Sequence, residues 1–69
     1  GVIDLVFKEA DGWVIADYKT DRIDGGMEGL LARYRPQVLL YRDFWERITG
    51  EPVREAGIYF TSANEWVVL

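Results

Sequence analysis

An apolar run with the residue types of a β-strand, Trp13 to Thr20, ends in an acid and a base two residues apart. Successive side chains of a strand point to opposite faces, so Asp17 and Lys19 project from the same face. This pattern places a carboxylate and an amine side by side where the strand leaves the core. Taken alone, such a couple is also what an ordinary strand end facing water contains.

A second strand-like run, residues 1–7, precedes the first and carries Asp4 within it. The dipeptide Asp11-Gly12 between the runs is typical of hairpin turns and predicts antiparallel neighbours. A two-residue turn centred on this dipeptide places Asp4 opposite Lys19, whereas a four-residue turn ending at its glycine places Asp4 opposite Asp17. Both registers bring the two carboxylates and the lysine to one face, but a three-residue turn does not.

Asp4 interrupts an apolar run, and a buried carboxylate is costly unless it has a partner or a metal ion. Lys19 can be that partner in a purely structural ion pair. Asp4 and Asp17 can instead hold Mg²⁺ or Mn²⁺, which prefer oxygen ligands, activate a bound water and neutralise charge on phosphate. Lys19 then adds a point charge near the attacking water or the transition-state oxygens. The pattern suits phosphodiester cleavage.

The segment after this strand predicts a loop and then a helix. Three of the residues in 21–29 are glycines, which indicates a loop. Pro36 suits the first position of a helix, so we expect a helix from Pro36 to about Ile48, ended by Gly50. Five of its residues recur at the spacing of one packed face: Gln37, Tyr41, Phe44, Trp45 and Ile48.

Two further strands are expected after the helix, at Glu55–Thr61 and Glu65–Leu69. A strand, a helix and a strand in sequence usually form a right-handed crossover, so the first of these strands should lie parallel to the strand of Asp17. The last should return antiparallel after a turn. The predicted fold is an α/β domain with the order ββαββ, and residues 1–69 form a single domain.

Composition limits the function classes. A chain of 69 residues allows one small domain of marginal stability. Cysteine and histidine are both absent, which leaves oxygen ligands as the realistic metal chemistry. The net charge of −4 argues against strong nucleic-acid binding by this chain alone. No stretch reaches the length of a membrane span, and a cytoplasmic location is compatible with the lack of cysteine.

Three motifs in this order resemble the RecB-type branch of the PD-(D/E)XK nucleases. They are Gly1-Val2-Ile3-Asp4-Leu5-Val6, Asp17-Tyr18-Lys19-Thr20-Asp21 and Gln37-x-x-x-Tyr41. The second motif, followed by Tyr34-Arg35-Pro36-Gln37, is most similar to the C-terminal nuclease domain of AddA-type helicase-nuclease subunits. The resemblance covers nearly the whole chain.

The resemblance implies a restriction-endonuclease-like core and an Mg²⁺-dependent exonuclease acting on single- or double-stranded DNA ends. It implies an ATP-dependent helicase-nuclease, with a partner subunit, that processes double-strand breaks for recombinational repair. Tyr18 would add its backbone carbonyl as a metal ligand, and Gln37 and Tyr41 would orient catalytic groups or contact DNA. Family members usually carry a further His or Glu ligand on a helix preceding the Asp4 strand. We therefore expect the C-terminal part of a nuclease domain, nearly inactive alone.

Two other interpretations stay open. The same fold can serve as a non-catalytic DNA-binding or subunit-docking module, or the motif can be fortuitous in an unrelated α/β protein. The joint presence of Asp4, Asp17 and Lys19 favours the enzyme, because a module without chemistry does not need all three.

Other candidate residues have ordinary interpretations too. Gln37 can be a solvated first-turn residue, and Tyr41 a core residue whose hydroxyl finds a local partner. The tryptophans can stack on bases or pack in the core: Trp13, Trp45 and Trp66. Arg33 and Arg35 can contact phosphate or simply be solvated.

Overall fold

The computed structural model describes residues 4–69, which form a four-stranded sheet with one long helix against it. The elements in chain order are β1 (Leu5–Glu9), β2 (Gly12–Lys19), a 3-10 turn (Ile23–Gly25), α1 (Met27–Thr49), β3 (Val53–Phe60) and β4 (Glu65–Val68). This confirms the predicted ββαββ order, although residues 1–3 of the predicted first strand lie outside the described residues. None of the helical residues in 4–69 belongs to a helix long and apolar enough to cross a membrane.

The strands lie in the order β1-β2-β3-β4 across the sheet. The central pair, β2 and β3, is parallel, and each outer pair is antiparallel. Helix α1 is the crossover between the two parallel strands, as predicted. The strand bearing Asp17 is therefore central, with neighbours on both sides.

The hairpin adopts one of the two registers that bring the carboxylates to one face. Glu9 pairs with Gly12, so continuing the register from Leu5 and Ala16 by one residue sets Asp4 across from Asp17. The alternative with Asp4 opposite Lys19 is wrong. Gly12 has a φ of 141°, and a Cβ there would stand 2.8 Å from the carbonyl oxygen of Pro52. This glycine is thus needed inside the strand, where another backbone approaches it closely.

The core lies between α1 and one face of the sheet. Ile15 of β2 pairs with Ala56 of β3 on this face, and Val38 of the helix packs over them with no exposed surface. The remaining fully buried core residues come from β3: Ile58 and Phe60. Asp17 pairs with Ile58, so its side chain belongs to this same, helix-covered face.

Helix α1 begins at Met27, so the predicted loop over residues 21–29 is confirmed only as far as Gly26, and the predicted helix start at Pro36 is wrong. Pro36 lies inside the helix, where a proline costs about 3 kcal/mol through its missing N–H and ring clash. Four large side chains at helical spacing before it pack against the core: Met27, Leu30, Leu31 and Tyr34. Full burial of one such side chain contributes about 1.5–3 kcal/mol, so even partial burial of four outweighs the proline.

The packed face of α1 also differs from the predicted one. Phe44 is 57% exposed and Ile48 is 58% exposed, so these two residues do not face the sheet. Trp45 packs against the core as predicted, and Val38, which the predicted face did not include, is fully buried. The predicted helix end is confirmed: Gly50 adopts the left-handed conformation, and its N–H donates to the Glu46 carbonyl at 2.9 Å.

Candidate functional site

Two carboxylates meet at the end of the hairpin that is remote from its turn. Asp17 lies near the end of β2 and is only 2% exposed, whereas Asp4 is exposed and stands just before β1. The Tyr18 N–H donates to Asp4 Oδ2 at 2.8 Å, which ties the exposed acid to the strand of the buried one. The structure therefore brings Asp4, Asp17 and the Tyr18 backbone together.

The two carboxyls have pKa values displaced in opposite directions. A hydrogen bond to Asp17, and then the Tyr18 N–H, lower the pKa of Asp4. Burial, and then the hydrogen bond to Asp4, raise the pKa of Asp17, and Lys19 only partly opposes this. Two carboxyls this close repel each other when both are charged, and the buried Asp17 carries most of that cost. A cation between them would remove that conflict.

Lys19 joins the pair. Its Nζ lies 3.2 Å from Asp17 Oδ2, an ion-pair distance. The contact lacks hydrogen-bond geometry, and within residues 4–69 this buried Oδ2 has no hydrogen-bond donor. A buried acceptor with no donor at all costs about 1–3 kcal/mol, and the misaligned ammonium offsets only part of that cost for Asp17 Oδ2.

The donor set fits a hard cation that keeps several waters. Among the described residues, no group of three or more Asp, Glu, His or Cys side chains could enclose a metal ion. Asp4 and Asp17 supply carboxylate oxygens, and the orphaned Asp17 Oδ2 is the type of atom that such an ion satisfies. Mg²⁺ usually binds through one or two carboxylates and retains water in its remaining positions. Two acids are therefore compatible with this ion.

The surroundings of Lys19 include two residues that the sequence analysis did not single out. Lys19 Nζ stands 4.4 Å from the ring centroid of Tyr34. The Tyr34 hydroxyl donates to both carboxylate oxygens of Asp21, at 3.1 and 3.0 Å. Asp21 continues the alternation of Asp17 and Lys19, and this signal could have identified it. Tyr34 was not predicted as a site residue because the helix was expected to begin after it.

Gln37 and Tyr41 are both half-buried on α1. Gln37 lies one turn after Tyr34, and the Tyr41 hydroxyl is buried with no hydrogen-bond partner among residues 4–69. The buried hydroxyl of a tyrosine that serves only the core is normally hydrogen-bonded, so an unpaired one is unusual. The proposed roles of the two side chains stay predictions.

The tryptophans have packing contacts. Trp13 and Trp45 meet edge to face with ring centroids 5.2 Å apart, and Trp13 Nε1 donates to Glu51 at 3.0 Å. Trp66 Nε1 donates to Glu55 at 2.9 Å. These contacts favour packing over base stacking.

The two arginines near the middle of α1 are exposed: Arg33 and Arg35. The Arg33 guanidinium lies 5.3 Å from the Tyr34 ring. Both side chains are therefore accessible to a phosphate, and their contact with one stays a prediction.

This geometry agrees with a family-level comparison. The model of the PD-(D/E)XK nuclease superfamily matches residues 1–66. The chain belongs to this superfamily. The Asp17-x-Lys19 pair therefore occurs in a member of a nuclease superfamily, and the observed fold is consistent with a fragment of the PD-(D/E)XK core.

Curated relatives agree with the resemblance to AddA-type subunits. The chain is 47% identical over 60 residues to an ATP-dependent helicase/nuclease subunit of Clostridium perfringens (strain 13 / Type A), a match that covers 86% of the chain and 5% of that relative. It is 41% identical over 70 residues to the same-named protein of Alkaliphilus oremlandii, which covers 100% of the chain and 6% of that relative. The chain therefore spans a small part of these relatives' length.

Proposed function

We propose that this chain is part of a divalent-metal-dependent deoxyribonuclease and that Asp4 and Asp17 hold the metal. The observation that carries the proposal is the buried Asp17, whose Oδ2 has no hydrogen-bond donor among the described residues and stands beside a second carboxylate and a lysine. A fold tolerates such an oxygen at a cost, and cleavage of phosphodiester bonds supplies a reason for it.

Each residue of the site would have a separate task. Asp4 and Asp17 would bind Mg²⁺ or Mn²⁺, with the Tyr18 backbone carbonyl as a further ligand. When bound, the metal supplies an activated water and neutralises phosphate charge. The Lys19 ammonium, 3.2 Å from Asp17 Oδ2, lies close enough to the carboxylates to donate to the attacking water or to a phosphoryl oxygen.

Side chains of α1 would handle the substrate. Gln37 and Tyr41 would orient the catalytic groups or contact DNA, and the unpaired Tyr41 hydroxyl is available for this. Arg33 and Arg35 are exposed and would meet the phosphate backbone. Local cations are needed here, because the net charge of −4 repels DNA.

The names of the relatives support a wider setting. We infer an exonuclease within an ATP-dependent helicase-nuclease that acts on single- or double-stranded DNA ends during recombinational repair of double-strand breaks. The remainder of such a chain and a partner subunit would deliver the DNA, in the cytoplasm. The relatives are called helicase/nuclease subunits, and a nuclease domain is the part of them that this chain resembles.

Metal binding tests the proposal directly. Isothermal titration of the 69-residue chain with Mn²⁺ should show one site, and Asp17→Asn should abolish it because it removes a ligand charge without changing side-chain volume. Asp24→Asn is the matched control, since Asp24 is an exposed acid paired with Arg22. Equal affinity in the chain and in Asp17→Asn would refute the metal assignment.

A cleavage assay separates the catalytic role of Lys19 from metal binding by the carboxylates. With enzyme in excess over linear DNA and Mg²⁺ present, Lys19→Ala should bind Mn²⁺ as the unaltered chain does but should lose cleavage. Unchanged cleavage by Lys19→Ala would remove the lysine from the mechanism. Cleavage by the unaltered chain that is no faster than cleavage by Asp17→Asn, with Mn²⁺ still bound, would favour the non-catalytic module.

A further inference from the structure

We infer that Tyr34 and Asp21 are positioning residues for Lys19: the tyrosine ring supports the ammonium, and the aspartate holds the ring. The inference rests on the role proposed above for Lys19 in phosphodiester cleavage. It assigns tasks to two residues outside the carboxylate-lysine cluster.

The contacts form a chain from one element to the next. Lys19 at the end of β2 places its Nζ 4.4 Å from the centre of the Tyr34 ring, which is well within cation-π distance. Tyr34 belongs to α1, and its hydroxyl donates to both oxygens of Asp21 at 3.0–3.1 Å. Asp21 lies in the segment that leaves β2. These contacts connect helix α1 to the end of strand β2 beside the Lys19 ammonium.

The Asp21 end of this chain is itself anchored. The Ser62 hydroxyl donates to the Asp21 carbonyl at 2.7 Å, and the Thr61 N–H donates to the Lys19 carbonyl at 2.9 Å. The backbone on both sides of Thr20 is therefore tied to the segment after β3. A ring held by a carboxylate on a tethered backbone has little freedom to rotate, so it offers the lysine a fixed surface.

Lys19 needs such a surface for a physical reason. A lysine side chain loses rotamer entropy when it is held in one place, and the contact of Lys19 to Asp17 lacks hydrogen-bond geometry. If Asp17 binds a cation, its charge is neutralised and it no longer attracts the ammonium. An aromatic face attracts the ammonium without neutralising it, so Lys19 keeps its place and its full charge for phosphate.

Two ordinary explanations must be separated from this one. Tyr34 also packs against the core, so it can serve the fold alone. Arg33 lies 5.3 Å from the same ring and could be the cation that the ring holds. The Arg33 side chain is exposed and more distant than Lys19, which favours the lysine.

Ring-current shifts test the contact without any need for activity. In proton NMR of the 69-residue chain, the Lys19 side-chain methylene signals should lie upfield of ordinary lysine values. Tyr34→Leu should return them to those values, whereas Tyr34→Phe and Asp21→Ala, which both remove the bonds between the hydroxyl and the carboxylate, should weaken the shift without abolishing it. Lys8, 5.7 Å from the Trp13 ring, is the internal reference in every variant. Tyr59→Leu is the control for losing a ring on the other face of the sheet.

Unshifted Lys19 signals in the unaltered chain, or a shift that survives Tyr34→Leu, would overturn the inference. If Tyr34→Leu does not fold, Asp21→Ala and Tyr34→Phe decide it, because both keep the ring in the chain. An unchanged shift in Asp21→Ala would then overturn the part assigned to the aspartate, and a weakened shift supports it.

Cleavage kinetics show whether positioning matters for turnover. Tyr34→Leu should lower kcat about 10- to 100-fold, as expected for a misplacement of about 1 Å, with KM and Mn²⁺ affinity unchanged. Tyr34→Phe should lose less. An unchanged kcat in Tyr34→Leu would overturn the inference that Tyr34 positions Lys19 for turnover. Failure of the chain to bind Mn²⁺ would instead refute the metal site and leave the NMR result decisive for Tyr34.

Discussion

At the scale of single residues, Asp17 combines properties that a stable core avoids. It is a buried acid whose pKa is raised by burial, and one oxygen has no hydrogen-bond donor within the described residues. Its neighbour Lys19 contributes an ion pair without hydrogen-bond alignment. Such a residue lowers the stability of the metal-free fold, which is the usual consequence of preparing a site for a ligand.

Asp17→Asn should therefore raise the free energy of unfolding of the metal-free chain by about 1 kcal/mol, from the cost of an unsatisfied buried acceptor. Loss of the ion pair to Lys19 opposes this by less, because that contact is poorly aligned and the ammonium keeps the Tyr34 ring at 4.4 Å and some exposure to water. The pKa of Asp17 in the folded chain lies above its ordinary 3.8. The loss of stability that Asp17 causes is therefore absent below that pH, grows as pH rises, and levels off once pH exceeds the pKa of the folded chain. Urea unfolding with a chelator, from acid to neutral pH, measures the difference.

The control for this comparison is Asp24→Asn, an exposed acid whose replacement should leave the unfolding free energy nearly unchanged. Asp4 acts in the opposite sense to Asp17. Because the pKa of Asp4 is lowered in the folded chain, Asp4 stabilises the fold at a pH above its ordinary pKa. This stabilisation is lost as pH falls through the pKa of Asp4 in the folded chain. A less stable Asp17→Asn at neutral pH would show that the ion pair to Lys19 outweighs burial.

At the scale of elements, local patterns predicted what depends on local chemistry. Strand alternation placed Asp17 and Lys19 on one face, and Gly50 was correctly expected to end the helix. The hairpin register could not be selected locally, because the Asp11-Gly12 signal fits two turn lengths, and the Pro52 backbone that approaches Gly12 is far away in the sequence. The helix start failed for the same reason: side chains before Pro36 pack on a sheet that the local pattern does not contain.

Pro36→Ala should stabilise the chain. Pro36 is exposed inside α1, so alanine would restore a helical N–H and relieve the ring clash without opening a cavity. The expected gain in the free energy of unfolding is about 1–3 kcal/mol. Chemical denaturation followed by circular dichroism measures it, and Pro52→Ala, outside the helix, is the matched control. A loss of stability in Pro36→Ala would mean that the proline ring makes packing contacts that the helix needs.

At the scale of the whole molecule, the described residues form two layers, with one face of the sheet covered by α1 and the other open. A shallow concavity of about 260 Å³ lies on the open face, and Phe7, Tyr18 and Trp66 contribute to its lining. The outer side of α1 exposes a second apolar stripe: Leu40, Phe44 and Ile48. Neither surface contains the carboxylates: Asp17 is buried on the helix-covered face and Asp4 is exposed just before β1, so the proposed chemistry belongs to that end of the hairpin.

The last prediction concerns the activity of the chain by itself. The 69-residue chain should cleave linear DNA with Mg²⁺ at least about 100-fold more slowly than the full-length helicase/nuclease relative from Clostridium perfringens at equal concentration. Within residues 4–69 only Asp4 and Asp17 converge, with no third acid or histidine to complete a cluster, so bound metal would be held loosely. The net charge of −4 also weakens capture of DNA.

The assay uses single- and double-stranded linear substrates, with ATP present for the larger protein. Asp17→Asn in the 69-residue chain reports contaminating nuclease, and Asp24→Asn should cleave as the unaltered chain does. A chain that matches the larger protein, while Asp17→Asn is silent, would show that two carboxylates and the Tyr18 carbonyl are sufficient ligands. The slow rate is expected because transition-state stabilisation depends on a fixed metal, and two protein carboxylates leave much of its coordination to mobile water.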